Sequence, residues 1–148
     1  MSYLSMILEI PDLLGINGLI KGKYTRDGIG VSPEINWSDA PANTKSFALF
    51  VHDPDALIGD FIHWIIINIP SNVNTIPREG VIGEEIINSA GRKSYVTPAP
   101  PAGMHRYYFT IYALSAGKLE NVTKDNFHEK INSVKLAEAT IIGKYSGQ

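Results

Sequence analysis

The sequence predicts a mainly β protein, because three segments have the composition of strands. Residues 47–51, 61–69 and 107–114 combine β-branched with aromatic side chains, which favour extended backbone. Apolar residues fill both parities of each segment, so both faces of each strand are expected to be covered. Only residues 52–60 join the first two segments, whereas a parallel crossover needs about a dozen residues or more. These two strands are therefore expected to be antiparallel, or to cross between two packed sheets.

Shorter elements are predicted around these strands. Residues 26–30, Arg-Asp-Gly-Ile-Gly, favour a turn, because Asp-Gly and Gly accept positive φ at little cost. Residues 32–37 contain alternating apolar positions, which predicts a short strand. Residues 71–105 are rich in Gly and Pro, and most of this region is predicted to be ordered loop.

Two helices are predicted near the C-terminal end. Thr123 is the expected N-cap of a helix over residues 124–131. Ser133 is the expected N-cap of a second helix, which ends at Gly143. The inward face of this second helix would be formed by Val134, Ala137, Ile141 and Ile142. Such a face is more typical of core packing than of a groove for a partner.

The composition is typical of one folded domain over residues 1–148, with 44% hydrophobic and 19% charged residues. A net charge of −2 without a run of Lys or Arg does not support nucleic-acid binding. No stretch reaches the roughly 18 apolar residues that a membrane span requires. Residues 1–15 lack the basic segment and cleavage site of a signal peptide. The absence of cysteine excludes disulfides and thiolate ligands, and we expect a cytoplasmic protein.

The densest polar cluster is residues 52–64, HDPDALIGDFIHW, between two of the most apolar segments. One interpretation is a metal site, since His52, His63 and an aspartate resemble a two-histidine, one-carboxylate set. The spacing matches no standard metal motif, however, and His52 and Asp53 would point to opposite faces of a regular strand. A third histidine would have to come from His105.

A second interpretation is catalysis. An Asp–His pair can orient a general base, and Asp53 with Asp55 could act as paired carboxylates. An activated nucleophile is not evident, because the chain has no Gly-x-Ser-x-Gly motif and no cysteine. Ser89, Ser94 and Thr97 offer hydroxyl groups without a catalytic signature around them.

A third interpretation is structural, with residues 53–55 as a turn and His63 as a hydrogen-bonded core residue. A second polar cluster favours a binding pocket instead. Residues 97–107, TPAPPAGMHRY, are expected to form a proline-stiffened loop that brings His105 to the start of a strand. Two histidines beside a rigid loop would create a small pocket for a polar group. Arg106 either contributes to that pocket or forms a structural ion pair outside it.

These residues resemble the motifs of a known family. Residues 53–55, His63-Trp64 and the Pro-x-Pro-Pro-x-Gly-x-His-Arg-Tyr motif at 98–107 are similar to those of the phosphatidylethanolamine-binding protein family, in its prokaryotic Raf-kinase-inhibitor-like branch. Residues 27–37 and 139–145 resemble its earlier motif and its short C-terminal end. The resemblance implies a β-sandwich with a large central sheet, a smaller second sheet and short C-terminal helices. It also implies a pocket that receives phosphate or a phosphoryl headgroup.

The resemblance further implies which residues form the pocket: Asp53, Asp55, Phe61, His63, Tyr95, Ala99, Pro100, Pro101, His105 and Tyr107. Two positions depart from the family pattern. Leu57 stands where a proline is usual, and Thr97 stands where a glycine is usual. Both departures are expected to alter the entrance of the pocket more than its floor.

A carboxylate at Asp53 would repel a bound phosphate. Either Asp53 accepts a hydrogen bond from a histidine ring that then donates to the anion, or it faces a protonated phosphate oxygen or an ammonium group. A few charge-assisted hydrogen bonds without a large apolar cavity would give affinity on the order of high micromolar to millimolar. We expect phosphate-type ligands to bind more tightly below about pH 6.5 than at about pH 8.

The leading functional prediction is a non-enzymatic regulatory protein that binds a small anion or phosphorylated headgroup and uses no cofactor. The resemblance implies inhibition of a serine protease or modulation of a kinase, with residues 71–94 as a candidate protease-binding loop. The alternative is an enzyme that uses Asp53, His63 and His105 on a phosphoryl or carbonyl substrate. A homodimer is left open.

Overall fold

The computed structural model describes residues 6–147, arranged as two antiparallel sheets, one short α-helix and two short 3₁₀ helices, Ile16–Gly18 and Gly22–Tyr24. The strands are β1 Ile7–Glu9, β2 Ile35–Ser38, β3 Ser46–Asp53, β4 Phe61–Pro70, β5 Thr75–Ile76, β6 Glu84–Glu85, β7 Met104–Leu114 and β8 Lys135–Ser146, and the helix is α1 Phe127–Asn132. The larger sheet has the order β6-β4-β3-β7-β8, and the smaller has the order β1-β2-β5. The predicted β-sandwich with a large central sheet and a smaller second sheet is therefore confirmed.

The three predicted long strands are β3, β4 and β7, which form the centre of the larger sheet. β3 pairs antiparallel with both neighbours, as the short connection between the first two segments requires. A β-bulge between Val51 and His52 shifts the register of β3 against β4 near the end of the strand. The strand predicted at residues 32–37 corresponds to β2, which begins later, at Ile35, and ends at Ser38. Residues 71–103 are mostly irregular apart from β5 and β6.

Both faces of the larger sheet are covered, which explains the apolar residues in both parities. Phe47, Leu49 and Val51 of β3 pack into the core between the two sheets. The alternate residues Ala48 and Phe50 pack into a second core, on the opposite face. That second core is closed by α1, whose Phe127 ring stacks on Phe50 with 4.5 Å between ring centroids. Within residues 6–147, no helix combines the length and the apolar composition that crossing a bilayer would take.

The second C-terminal helix is a wrong prediction, because residues 135–146 form β8, which pairs with β7 along its length. The apolar residues also recur with a period of two: Ala137, Ala139 and Ile141 all pack against the core between the sheets. Gly143 does not end a helix. A Cβ atom there would lie 2.6 Å from Ile20 Cγ1. Only glycine leaves room for the segment around Ile20 that crosses β8 at this point.

The first C-terminal helix exists but begins later than predicted. Its N-cap is Asn126 rather than Thr123. Thr123 and Asn126 instead form a reciprocal turn, in which the Asn126 backbone N–H donates to Thr123 Oγ1 at 3.2 Å and the Thr123 backbone N–H donates to Asn126 Oδ1 at 2.7 Å. These two bonds have the reciprocal pattern of a capping box, and they close the turn over residues 124–126 that leads into α1. The predicted domain spans residues 1–148, of which 1–5 and 148 lie outside the described residues.

Candidate functional site

One end of the larger sheet gathers most of the candidate site residues. Because the central strands are antiparallel, β3 ends where β4 and β7 begin. Asp53 is the last residue of β3, and it pairs with Phe61 at the start of β4. His63 follows two positions along β4 on the same face, and His105 is the second residue of β7. Segments about forty residues apart in the chain therefore meet at this end of the sheet.

A cavity of about 260 Å³ opens between these strand ends and the loop that precedes β7. Its lining consists of Asp53, Ala56, Leu57, Phe61, His63, Val96, Thr97, Ala99, Pro100, Pro101, His105 and Tyr107. Eight of the ten candidates named from the sequence are in this lining. The sequence reasoning did not single out Ala56 and Val96, which are small side chains next to the motifs and carry no chemical signature of their own.

Asp53 holds the ring of His105 rather than facing a ligand. Its Oδ2 accepts from His105 Nδ1 at 2.6 Å, and the two side chains are 5% and 10% exposed. Its Oδ1 accepts the backbone N–H of Asp55 at 2.7 Å. Both carboxylate oxygens are thus engaged inside the protein. The proton of the neutral His105 ring lies on Nδ1, which leaves Nε2 as the ring nitrogen available to a ligand.

His63 is fixed in the same tautomer by the backbone. Its Nδ1 donates to the carbonyl of Val96 at 2.7 Å, and only 5% of the residue is exposed. Burial lowers the pKa of His63 below its ordinary value of 6.5, although the bond to Val96 and the charge of Asp53 partly offset this effect. The folded protein therefore favours the neutral ring, with the lone pair on Nε2.

Tyr107 completes the floor of the cavity. Its ring meets that of His63 edge-on, with 5.3 Å between centroids. Burial raises the pKa of Tyr107 far above its ordinary value of 10, with a further contribution from the Asp53 carboxylate. The hydroxyl therefore keeps its proton at any physiological pH and can donate a hydrogen bond.

Asp55, predicted to bind the ligand, lies outside the cavity lining because Arg106 holds it. Its oxygens accept from Arg106 Nη2 at 2.8 Å and Nε at 2.9 Å, and Oδ2 also accepts the Arg106 backbone N–H at 2.9 Å. These bonds lower the pKa of Asp55 to about 2. Of the two roles considered for Arg106, the structure shows the ion pair outside the pocket.

Tyr95 also lies outside the cavity lining, and its side chain contacts residues that are not part of that lining. Its hydroxyl donates to the carbonyl of Tyr24 at 2.8 Å. Its ring meets Trp64 edge-on at 5.4 Å. The next residue, Val96, bonds to His63 through both its N–H and its carbonyl. Tyr95 is therefore a positioning residue for the segment that fixes His63.

The proline-rich wall of the cavity, residues 97–101, contacts two other segments of the chain. The backbone N–H of Arg26 donates to the Pro98 carbonyl at 3.3 Å. Gly147, after the end of β8, lies so close to the Pro100 carbonyl that a Cβ atom would be 2.0 Å from its oxygen. These contacts preorganise the wall in the absence of ligand.

His52 does not reach the cavity, because its side chain lies on the other face of the sheet. Its Nδ1 lies 2.6 Å from Asp60 Oδ1, and its ring lies 5.3 Å from that of Phe50. In the part of the chain that the structure describes, no cluster of three His, Asp or Glu side chains has the arrangement of a metal site. The proposed combination of His52 and His63 in one metal site is therefore not formed.

Fold and site together define a class: an antiparallel β-sandwich whose central strands end at a small cavity containing two histidines, an aspartate and a tyrosine. The family model described as phosphatidylethanolamine-binding protein matches residues 14–146. This chain belongs to the phosphatidylethanolamine-binding protein family.

Relatives of similar length support this assignment. A protein of Aquifex aeolicus called UPF0098 protein is 41% identical over 133 residues, covering 82% of this chain and 78% of the relative. A UPF0098 protein of Chlamydia muridarum is 38% identical over 134 residues, covering 85% and 89% of the two chains.

Two solved structures share the fold over nearly the whole chain. A crystal structure described as a phosphatidylethanolamine-binding protein homologue from Chlamydia trachomatis superposes with a TM-score of 0.88 at 34% identity, covering 97% of this chain and 99% of the other. E. coli YbcL, described as a new member of the mammalian family, superposes with a TM-score of 0.89 at 25% identity, covering 98% and 100%.

Proposed function

We propose that this protein is a non-enzymatic binding and regulatory module whose cavity receives a small anion or a phosphorylated headgroup. The observation that carries the proposal is the fixed tautomer of both cavity histidines. His105 bonds through Nδ1 to Asp53, and His63 bonds through Nδ1 to Val96, each within 2.7 Å. Among the described residues neither Nε2 has a hydrogen-bond partner, so both are available to a ligand, beside the protonated hydroxyl of Tyr107.

This set of groups is suited to a partly protonated phosphoryl group. A neutral Nε2 accepts a hydrogen bond from a phosphate hydroxyl, whereas a protonated ring donates to a phosphate oxygen. The Tyr107 hydroxyl donates to an oxygen in either case. Both carboxylate oxygens of Asp53 accept hydrogen bonds from the protein, which partly screens their charge from a bound anion.

The size of the cavity favours a headgroup over a larger ligand. Its volume of about 260 Å³ is below the range of roughly 300–1,000 Å³ typical of sites for drug-sized molecules. A phosphate or a small phosphoester is enclosed by such a volume, while a longer substituent would extend past Leu57 and Thr97 at the entrance.

Crystals soaked with phosphoethanolamine test the proposal directly. We expect density for the phosphoryl group within hydrogen-bond distance of Nε2 of both histidines and of the Tyr107 hydroxyl. An empty cavity at millimolar ligand, or ligand bound only elsewhere on the surface, would argue against it.

A regulatory role toward a serine protease or a kinase, in the cytoplasm, is part of the proposal and is supported by family likeness alone. Chymotrypsin-like and elastase-like proteases incubated with a large excess of the protein provide a test. Retention of full protease activity would remove the inhibitor role and leave anion binding unaffected.

The competing candidate is an enzyme acting on a phosphoryl or carbonyl substrate. The specific observation in its favour is the 2.6 Å contact between Asp53 and His105, the arrangement that orients a general base. Binding is preferred because, among the lining residues that the structure describes, the only aliphatic hydroxyl is that of Thr97. Phosphoester turnover that disappears in His105→Ala would favour the enzyme.

A further inference from the structure

A second concavity lies at the opposite end of β3 from the cavity that contains the histidines. We call it the distal hollow, and it is formed by residues 37–40, by Phe47 and by residues 71–74. Phe47 is the second residue of β3, and residues 71–74 follow the last residue of β4. The volume of the distal hollow is about 360 Å³, near the lower end of the roughly 300–1,000 Å³ typical of sites for small molecules. It therefore has room for a small ligand of its own.

The floor of the distal hollow contains a buried hydrogen-bond donor without an acceptor. Trp37 is 3% exposed, and its Nε1 has no hydrogen-bond partner within residues 6–147. The other tryptophan, Trp64, donates from Nε1 to Glu85 Oε2 at 2.7 Å. Buried donors in native proteins nearly always have a partner, because an unpaired donor has lost its bond to water without replacing it. An acceptor for Trp37 must therefore come from outside the chain, either from water or from a ligand.

Polar side chains without internal partners surround the distal hollow. The adjacent Asn36 and Thr75 side chains bond to each other at 2.5 Å, whereas the polar side chains of the hollow form no hydrogen bond or ion pair in the described part of the chain. They are those of Ser38, Asp39, Ser71, Asn72 and Asn74. All five residues are exposed, so the partners of their side chains are water molecules, which polar groups of a ligand can replace.

The two loops around the distal hollow are held together by the backbone and by the aromatic floor. The Trp37 backbone N–H donates to the Asn74 carbonyl at 3.0 Å, which joins the loop after β2 to the turn after β4. That turn is closed by the Val73 backbone N–H, which donates to the Pro70 carbonyl at 3.0 Å. The ring of Phe47 lies 5.4 Å from that of Trp37. Ser71 and its neighbour are ordinary turn residues, but a turn alone does not require an unpaired indole N–H beneath it.

The donors and acceptors of the distal hollow match an uncharged ligand with several hydroxyl groups. A carboxylate only accepts and an indole only donates, while amide groups and hydroxyls do both, and a ligand hydroxyl can pair with each of them. Asp39 is the only ionisable side chain of the hollow, so the site provides no cation to attract an anion. A metal ion is also a poor match, because no suitable cluster of three His, Asp or Glu residues occurs within residues 6–147. Val73 and Phe47 provide apolar contact for C–H groups.

We propose that the distal hollow is a second ligand site, which binds one sugar ring of a neutral saccharide with Trp37 Nε1 donating to an oxygen of the ligand. The site is independent of the proposed function of the cavity. Because Nε1 is buried, an exposed side chain at the rim has to move for the ligand oxygen to reach it. Hydrogen bonds that replace bonds to water contribute little each, so the dissociation constant should be on the order of millimolar.

The two indole N–H resonances of ¹⁵N-labelled protein test this site, because one belongs to the hollow and the other does not. Trp37→Phe assigns the Trp37 resonance by its disappearance. Glucose, galactose, mannose and N-acetylglucosamine are titrated separately into the unmodified protein. We expect at least one sugar to shift the Trp37 resonance in a saturable manner, while that of Trp64 stays in place. If all four leave Trp37 unchanged, or if a sugar shifts His63 and His105 instead, the proposal is overturned.

Asp39→Asn tests the polar rim without changing its shape. Asparagine also adopts the positive φ of Asp39, which is 60°, but it lacks the charge that strengthens the bonds to ligand hydroxyls. We expect the dissociation constant of the sugar, measured from the Trp37 resonance, to rise about fivefold. Asp125→Asn is the matched control, because Asp125 is an exposed carboxylate outside the distal hollow. Unchanged affinity in Asp39→Asn, or an equal loss in the control, would contradict the site.

Inorganic phosphate separates this inference from the proposed function. We expect phosphate to leave the Trp37 resonance unchanged, because the distal hollow lacks a cation. A saturable shift of Trp37 with phosphate would overturn the assignment to an uncharged ligand. If phosphate fails to bind at the histidines while a sugar still shifts Trp37, the proposed function fails and the distal hollow is supported.

Discussion

At the scale of single residues, His63 has two separate functions in the structure. Its Nδ1 satisfies the carbonyl of Val96, and its ring forms part of the cavity lining. His52, eleven positions earlier, lies on the opposite face of the sheet and bonds to Asp60. The two histidines therefore form a matched pair for mutation.

We expect His63→Ala to weaken phosphate binding at least about tenfold, through loss of one charge-assisted hydrogen bond. The Val96 carbonyl loses its partner, which costs about 1–3 kcal/mol, less than the roughly 5–15 kcal/mol that stabilises a typical domain. Isothermal titration and a urea unfolding curve check both points, with His52→Ala as the control that retains binding. Unfolding of His63→Ala under native conditions would favour the structural interpretation of this histidine.

The two tryptophans differ in whether the indole N–H is satisfied. Trp64 Nε1 donates to Glu85 Oε2 at 2.7 Å, whereas Trp37 Nε1 is buried without a partner among the described residues. Replacing each with phenylalanine removes similar volume, but only Trp64→Phe removes a bond to a charged group. We expect Trp64→Phe to lower the free energy of unfolding by about 1.5–3 kcal/mol more than Trp37→Phe. Urea midpoints for the two variants decide this, and equal losses would contradict it.

At the scale of elements, β8 shows that the spacing of apolar residues alone does not distinguish a helix from a strand. Val134, Ala137 and Ile141 match helical spacing, while Ala137, Ala139 and Ile141 match strand spacing, so the local pattern fits both. The choice is made by long-range pairing with β7, which a single sequence does not reveal. The strands rich in β-branched and aromatic residues were predictable because their composition excludes the helical alternative.

Gly143 provides a test of how β8 is packed. An added Cβ would lie 2.6 Å from Ile20 Cγ1 and 2.9 Å from Leu14 Cδ2. We expect Gly143→Ala to destabilise the protein by about 1–3 kcal/mol through overpacking, as measured by urea unfolding. Gly117→Ala is the control, because its nearest neighbour would be 4.0 Å away. A Gly143→Ala variant as stable as the control would show that the segment around Ile20 moves to accommodate the methyl group without a loss of stability.

The candidate site was predictable to the extent that its motifs are local. The lining residues Asp53, His63 and His105 are named by motifs that the sequence displays directly. That Asp55 and Tyr95 lie outside the cavity lining could not be predicted, because a motif does not say which side chains an ion pair or a backbone carbonyl holds away from the cavity. Side-chain direction near a β-bulge is equally hidden from sequence.

At the scale of the whole molecule, two histidines with lowered pKa values make stability depend on pH. Burial of His63 and partial desolvation of the more exposed His128 lower both pKa values below the ordinary value of 6.5. As the pH falls below 6.5, the unfolded chain takes up protons on these residues before the folded chain does. The free energy of unfolding should therefore decrease on acidification.

Urea midpoints at about pH 7 and about pH 5.5 measure this dependence. We expect a lower midpoint at the acidic pH and a shallower decline in His128→Gln, which removes one of the two groups. The carboxylates with lowered pKa values, such as Asp55 at about 2, lose their contribution only in more acidic solution. Stability that rises on acidification across this window would contradict the assigned protonation states.

The central claim is that His63 and His105 bind one anion together. NMR titration of the two imidazoles with sulfate, which stays a dianion across this range, separates ring protonation from titration of the ligand. We predict that both imidazoles shift with a common dissociation constant that is lower at about pH 6 than at about pH 8, because a protonated Nε2 donates to the anion. Imidazole resonances that sulfate and phosphate leave unchanged at both pH values would contradict the account.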